Sequence, residues 1–87
     1  MNELRIKSVA FDQDHLTVRF TDAKELRISL AHFPRLRCAN AEARNAWELI
    51  GRGRGVHWEI ADEDLSVENL LTAYSRDRTG NYAPLTK

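Results

Sequence analysis

His57 and the acidic triplet Asp62-Glu63-Asp64 are the residues of this sequence best equipped for chemistry. An imidazole beside carboxylates can ligate a divalent ion or share acid–base work. His57, Asp62 and Asp64 are therefore the candidate set for a metal-dependent hydrolase. Their spacing matches no established metal motif. Carboxylates just ahead of a helix also have a structural reason to be there, since they complement the positive end of the helix dipole. No metal and no cofactor are assigned on this pattern. His57 is expected to be hydrogen-bonded or exposed on an outer face.

Gly51-Arg52-Gly53-Arg54-Gly55 lies directly upstream. Glycines let backbone N–H groups approach an anion, and arginines can pair with it. Phosphate loops, however, run from a strand into a helix N-terminus, whereas this run is expected to leave a helix and enter an extended segment. It reads as a helix stop followed by a tight turn, with Gly51 as the C-cap. Arg35, Arg37, Arg44, Arg52 and Arg54 form, with His57, the candidate binding set. They can meet phosphates or an acidic protein surface, although a solvated charged face is the simpler account of them. No recognition-helix pair or exposed aromatic ladder supports nucleic-acid binding. Cys38 follows Arg35 and Arg37, which can lower a thiol pKa, but His15, His32 and His57 are too scattered in sequence to name a base for it. It reads as a packed small hydrophobe.

The elements that must position these groups follow from hydrophobic periodicity. A first strand covers residues 4–11 with imperfect alternation, and Asp12-Gln13-Asp14 supplies a turn. Leu16, Val18 and Phe20 then share one face, as do Leu26, Ile28 and Leu30 after the turn Thr21-Asp22-Ala23-Lys24. Period-two alternation with one polar face predicts a half-buried antiparallel meander of three strands. Pro34 breaks the strand pattern, so Ala31–Leu36 is expected to be a short turn or a single helical turn, with Phe33 and Leu36 inward and Arg35 and Arg37 outward. Ala43, Ala46, Trp47 and Ile50 fall at helical spacing behind the N-cap Asn40, which predicts a helix to Gly51 with Trp47 packed on the sheet and Arg44 facing solvent. Val56-His57-Trp58 is expected to form a short fourth strand. A second helix follows the N-cap Ser66, with Val67, Leu70, Leu71 and Tyr74 on one stripe. Residues 1–74 are thus read as a single α+β domain: a small antiparallel sheet, three strands plus a short fourth, covered by two helices. Residues 75–87 are read as a mobile polar tail or a partner-ordered arm.

Composition narrows the function classes. The 87 residues suffice for one small core. Thirteen basic residues balance thirteen acidic ones, which argues against a strongly basic nucleic-acid binder. Cys38 has no second cysteine to pair with, so a reducing cytoplasm is the expected setting. No apolar run reaches the roughly 20 residues that a membrane helix needs. Met1-Asn2-Glu3-Leu4-Arg5 lacks the apolar core of a signal peptide.

Taken in order, Phe33-Pro34-Arg35-Leu36, Asn40-Ala41-Glu42-Ala43-Arg44, Trp47-Glu48-Leu49-Ile50-Gly51, Gly55-Val56-His57-Trp58, Asp62-Glu63-Asp64-Leu65-Ser66-Val67 and Leu70-Leu71 resemble the small bacterial domain-of-unknown-function family 2442. The most specific part is the His-Trp followed by Asp-Glu-Asp-Leu-Ser. The resemblance implies an α+β fold, an antiparallel sheet covered by helices, and no established activity. It also implies an arrangement of the toxin–antitoxin or regulatory-pair kind, because many relatives are encoded beside another small protein. Some relatives carry an added helix-turn-helix domain, which these residues lack. Ala23 stands where the family's turn often has glycine, Ala41 where proline often opens the helix, and Glu59 where proline is usual after the tryptophan.

The leading expectation is a non-catalytic cytoplasmic interaction or regulatory module. It would act through a protein partner or by self-association, in the manner of an antitoxin-like partner of a neighbouring gene product. Anion or nucleic-acid binding through the arginines is the second reading, and the hydrolase at His57, Asp62 and Asp64 is the third.

Overall fold

A computed structural model describes the backbone of residues 4–80 and the side chains of residues 4–76. Strands β1 (Ile6–Phe11), β2 (His15–Phe20) and β3 (Glu25–Ser29) form the antiparallel meander expected from the alternation. The imperfect phase of β1 has a local cause. Ile6 pairs with Phe20 but Ser8 pairs with Arg19, so one extra residue bulges between them and returns Val9 to the buried face. Asp12 closes the first turn by accepting from the Asp14 amide at 3.0 Å and from the His15 amide at 2.8 Å. The second turn holds Ala23 at φ 76°, a left-handed conformation that carries strain for any residue with a Cβ.

After β3 come a 3-10 turn (Leu30–His32) and two short helices, α1 (Pro34–Arg37) and α2 (Ala41–Asn45). Phe33 and Leu36 are buried while Arg35 and Arg37 are exposed, as the sequence predicts. Asn40 caps α2 by accepting from the Ala43 amide at 2.9 Å.

The predicted helix to Gly51 is not formed. α2 ends at Asn45, and Trp47–Ile50 is a strand, β4. Continuing the helix would require the Arg44 carbonyl to accept from the Glu48 amide. That carbonyl instead accepts from the indole N–H of Trp58 at 3.0 Å. Tertiary pairing thus overrides the helical stripe. β4 pairs with β5 (Gly55–Trp58), which pairs with β6 (Glu63–Ser66), giving a second antiparallel sheet of order β4-β5-β6. The expected fourth strand exists as β5, but in this second sheet rather than beside the meander.

Gly51 is consequently not a helix cap. It opens a 3-10 turn (Gly51–Gly53) at the β4–β5 hairpin, where Gly51, Arg52 and Gly53 all have positive φ. Gly53 sits so close to β1 that a Cβ there would stand 2.8 Å from the Ile6 carbonyl oxygen. This contact ties the hairpin tip to the first sheet.

α3 (Val67–Gly80) starts where Ser66 predicts it. Ser66 and Asn69 cap reciprocally, side chain to amide, both at 3.0 Å. Leu70 and Ala73 are its buried residues, and Leu71 is more exposed than its place on the predicted stripe implies. The helix runs on to Gly80, so the first part of the predicted tail, Ser75–Gly80, is helical. Residues 81–87 lie outside the described residues.

One core joins both sheets. Leu16, Val18 and Ile28 of the first meet Val56, Trp58 and Leu65 of the second, closed by Leu36 and by Leu70 of α3. Phe11 meets Trp58 edge-on, with ring centroids 6.1 Å apart.

Candidate functional site

The second sheet turns Val56, Trp58 and Leu65 into the core, so the alternating residues His57 of β5 and Asp64 of β6 lie on the opposite, outer face, His57 half-buried and Asp64 exposed. On that outer face the register aligns Glu48 of β4, His57 of β5 and Asp64 of β6 in one row. Directly opposite residues on one face are within side-chain reach. The Asp62-Glu63-Asp64 triplet is therefore split. Glu63 and Asp64 belong to β6, whereas Asp62 holds the β5–β6 turn at φ 55°.

His57 is fully engaged. Its Nδ1 donates to Asp64 Oδ1, and its Nε2 donates to Glu59 Oε1 at 2.8 Å. The hydrogen bond to Glu59, followed by that to Asp64, raises the imidazole pKa from 6.5 to about 9. His57 is thus a cation at neutral pH, with no lone pair for a metal and no basic nitrogen to offer a substrate. Asp62 faces elsewhere: Arg35 Nη1 donates to its carbonyl at 2.6 Å and lies 3.7 Å from its Oδ2. The hydrolase set of His57, Asp62 and Asp64 does not converge. Among the described residues, no three His, Cys, Asp or Glu side chains are placed to hold a metal ion.

The arginines divide between the two ends of β5. Arg35 is at the β5–β6 turn. Arg44, expected to face solvent, is half-buried: its Nε donates to Leu36 O and its Nη2 to Arg37 O, both at 3.0 Å. Its guanidinium also lies 5.3 Å from the centroid of the Phe11 ring, within cation–π range. This side chain ties α2 to the end of α1. Arg37 is exposed beyond it. Arg52 and Arg54 lie at the opposite hairpin, where the Arg52 carbonyl accepts from Arg5 Nη1 at 3.2 Å. β5 alone separates these two ends by about 10 Å. Cys38, read as a packed residue, is exposed at the end of α1.

The residues that sequence reasoning misses are Glu48 and Glu59. A helix over Trp47–Ile50 hides the alignment of Glu48 with His57. Glu59 shares a face with His57 two residues away, and that spacing is the available signal. Beside the charged row, a shallow groove of 350 Å³ is lined by residues that include Ile50, Arg54, Gly55, Asp64, Ser66 and Asn69. Ile50 is 43% exposed, and Leu49 beside it on β4 is 38% exposed.

Comparison with known proteins adds a family and a fold. The model of a family described as "Protein of unknown function (DUF2442)" matches residues 6–75. A crystal structure of a protein of unknown function from Rhodospirillum rubrum is similar, with a TM-score of 0.69 and 27% identity over 82% of this chain and 88% of that one. No curated protein matches the chain.

Proposed function

From the premise that this chain belongs to the DUF2442 family of proteins of unknown function, we propose that it is a non-catalytic protein-interaction module. Its docking surface is the outer face of the second sheet, and its partner presents basic side chains. The observation that carries this reading is the row Glu48–His57–Asp64, with Glu59 beside it; the three carboxylate residues are exposed and His57 is half-buried among them. Three carboxylates around one imidazolium leave that row net negative. It repels phosphates, which sets nucleic acid below protein as a partner. Ile50, two residues from Glu48 on the same face of β4, adds exposed apolar surface next to the charges, the mixture that protein interfaces use. A regulatory pairing with a small neighbouring gene product, antitoxin-like in arrangement, is the form of partnership the family resemblance favours, and self-association is the alternative.

The free thiol of Cys38 fits a reducing cytoplasm. Among the described residues no helix is long and apolar enough to cross a membrane.

Tagged protein is expressed in its host, recovered with its bound proteins and compared with Glu59→Lys, a change at a side chain 82% exposed. A stoichiometric partner held by the native chain and lost from Glu59→Lys is the expected outcome. Recovery of monomer alone, or of a partner indifferent to the charge reversal, refutes the proposal.

A further inference from the structure

The two sheets have four edges, and three are blunted in the ways that edge strands usually are. β1 carries Lys7 and the bulge after Ile6, and the Gly53 turn presses against it. β3 alternates Glu25, Arg27 and Ser29 and packs against α3. β6 carries Glu63 and Asp64 and leads straight into α3. β4 is the most thinly guarded of the four: Glu48 is its one charge, and β1 touches it without a backbone hydrogen bond between the two among the described residues. It reads Trp47-Glu48-Leu49-Ile50, with no proline, no basic residue and no bulge in its register. Glu48, Leu49 and Ile50 are all exposed. Among the described residues its backbone hydrogen bonds go to β5 alone. In an antiparallel pair, alternate residues of an edge strand direct their N–H and C=O groups outward, so β4 holds unfilled donors and acceptors along its open side.

Charge identifies what fits there. The row across the sheet runs from Asp64, negative, through His57, positive, to Glu48, negative. Both His57 nitrogens are taken by Asp64 and Glu59, and among the described residues the Glu48 carboxylate has no ion pair. The next position in the row, on a strand added outside β4, completes the alternation if it is basic. A second copy of this chain does not supply it. Pairing two β4 strands with Glu48 opposite Glu48 sets like charges face to face, and the register with Leu49 opposite Leu49 puts Ile50 beside Glu48.

We propose that β4 is a docking edge that takes up an extended segment of a partner protein as a fourth strand of the second sheet, with a basic side chain of that segment beside Glu48 and apolar side chains beside Leu49 and Ile50. Main-chain hydrogen bonds hold such a segment, and the side chains on its two faces select it. The inference rests on the interaction reading above and names the chemistry of its partner.

The probe is an acetylated and amidated peptide, Thr-Val-Val-Lys-Val-Thr, whose antiparallel register sets lysine beside Glu48. Its control has glutamate in place of lysine. Backbone amide spectra of the whole chain are recorded during titration up to about 5 mM peptide, a range that reaches weak strand pairing; saturable shifts at Trp47–Ile50 are expected, with the lysine peptide favoured about fivefold or more over the control. Glu48→Lys, an exposed substitution, is expected to reverse that preference. The inference is overturned if no saturable shift appears at β4, if the two peptides bind alike, or if the β4 amides shift with protein concentration alone, which would make a second copy the occupant. A host partner that is lost from Glu59→Lys, while the lysine peptide leaves β4 unmoved, overturns the docking edge and leaves the interaction reading standing.

Discussion

His57 offers the most direct check on the geometry of the outer face. Its imidazole donates to Glu59 and Asp64, and the pKa is raised from 6.5 to about 9, with Glu59 the larger cause. At about pH 7.5, an imidazole titrating near 9 is ~97% protonated, whereas an unperturbed one is ~9% protonated. The folded chain therefore binds a proton that the unfolded chain releases. Stability from this group is fully present below pH 6.5 and is lost as pH rises through about 9. Ring ¹⁵N spectra of His57 recorded across neutral and alkaline pH read the midpoint directly, and urea unfolding at the same pH values reads the linked loss of stability. Glu59→Gln is expected to lower the midpoint more than Asp64→Asn does. Salt is expected to narrow both differences, since the group sits at the surface. A His57 midpoint between about 6 and 7, or stability that rises from neutral to alkaline pH on account of His57, would refute the three-group arrangement.

Two further substitutions test how the second sheet and the first meander are set. Trp58→Phe keeps a ring in the core but removes the N–H that donates to the Arg44 carbonyl, leaving that acceptor unpaired beside a small void. A loss of about 2–4 kcal/mol in urea unfolding is expected, with the largest amide shifts at residues 46–48. Ala23→Gly relieves a residue held at φ 76°. It should raise stability in the same assay by about 0.5–1 kcal/mol, the strain relief being partly offset by greater freedom of the unfolded chain.

How far the sequence showed this molecule depended on whether the deciding contact was local. The meander was legible because alternation in β2 and β3 reports directly on which face is buried. The start of α3 is legible because Ser66, an N-cap residue, stands directly ahead of the Val67, Leu70, Leu71 and Tyr74 stripe, and the Asn69 amide it caps is only three residues on. β4 was not, because Ala43, Ala46, Trp47 and Ile50 satisfy a helical stripe as well as Trp47–Ile50 satisfies a strand, and short apolar stretches do not separate the two. What separates them is the Trp58 indole on the Arg44 carbonyl, a contact fourteen residues away in sequence. Arg44 is hidden for the same reason: nothing local reveals that its guanidinium binds two carbonyls and covers Phe11.

The candidate site inherits that dependence. With Glu48 on a helix, His57 had no visible neighbour across the sheet, and its acidic company had to come from Asp62-Glu63-Asp64 as a block. That grouping admits metal chemistry, although complementing the helix dipole is the simpler account of it. Once β4 and β6 flank β5, period two sends Asp64 to His57 and Glu63 to the opposite face, while the turn gives Asp62 to Arg35. The same carboxylates then hold a proton on the imidazole rather than share a metal with it. A protonated His57 between two acceptors is a poor catalyst and a good fixed charge. Its effect reaches the edge strand: because Asp64 and Glu59 occupy both ring nitrogens, Glu48 is left as the unmatched end of the row, on the strand whose backbone is open. The feature that argues against chemistry at His57 is thus the one that gives β4 a charge preference.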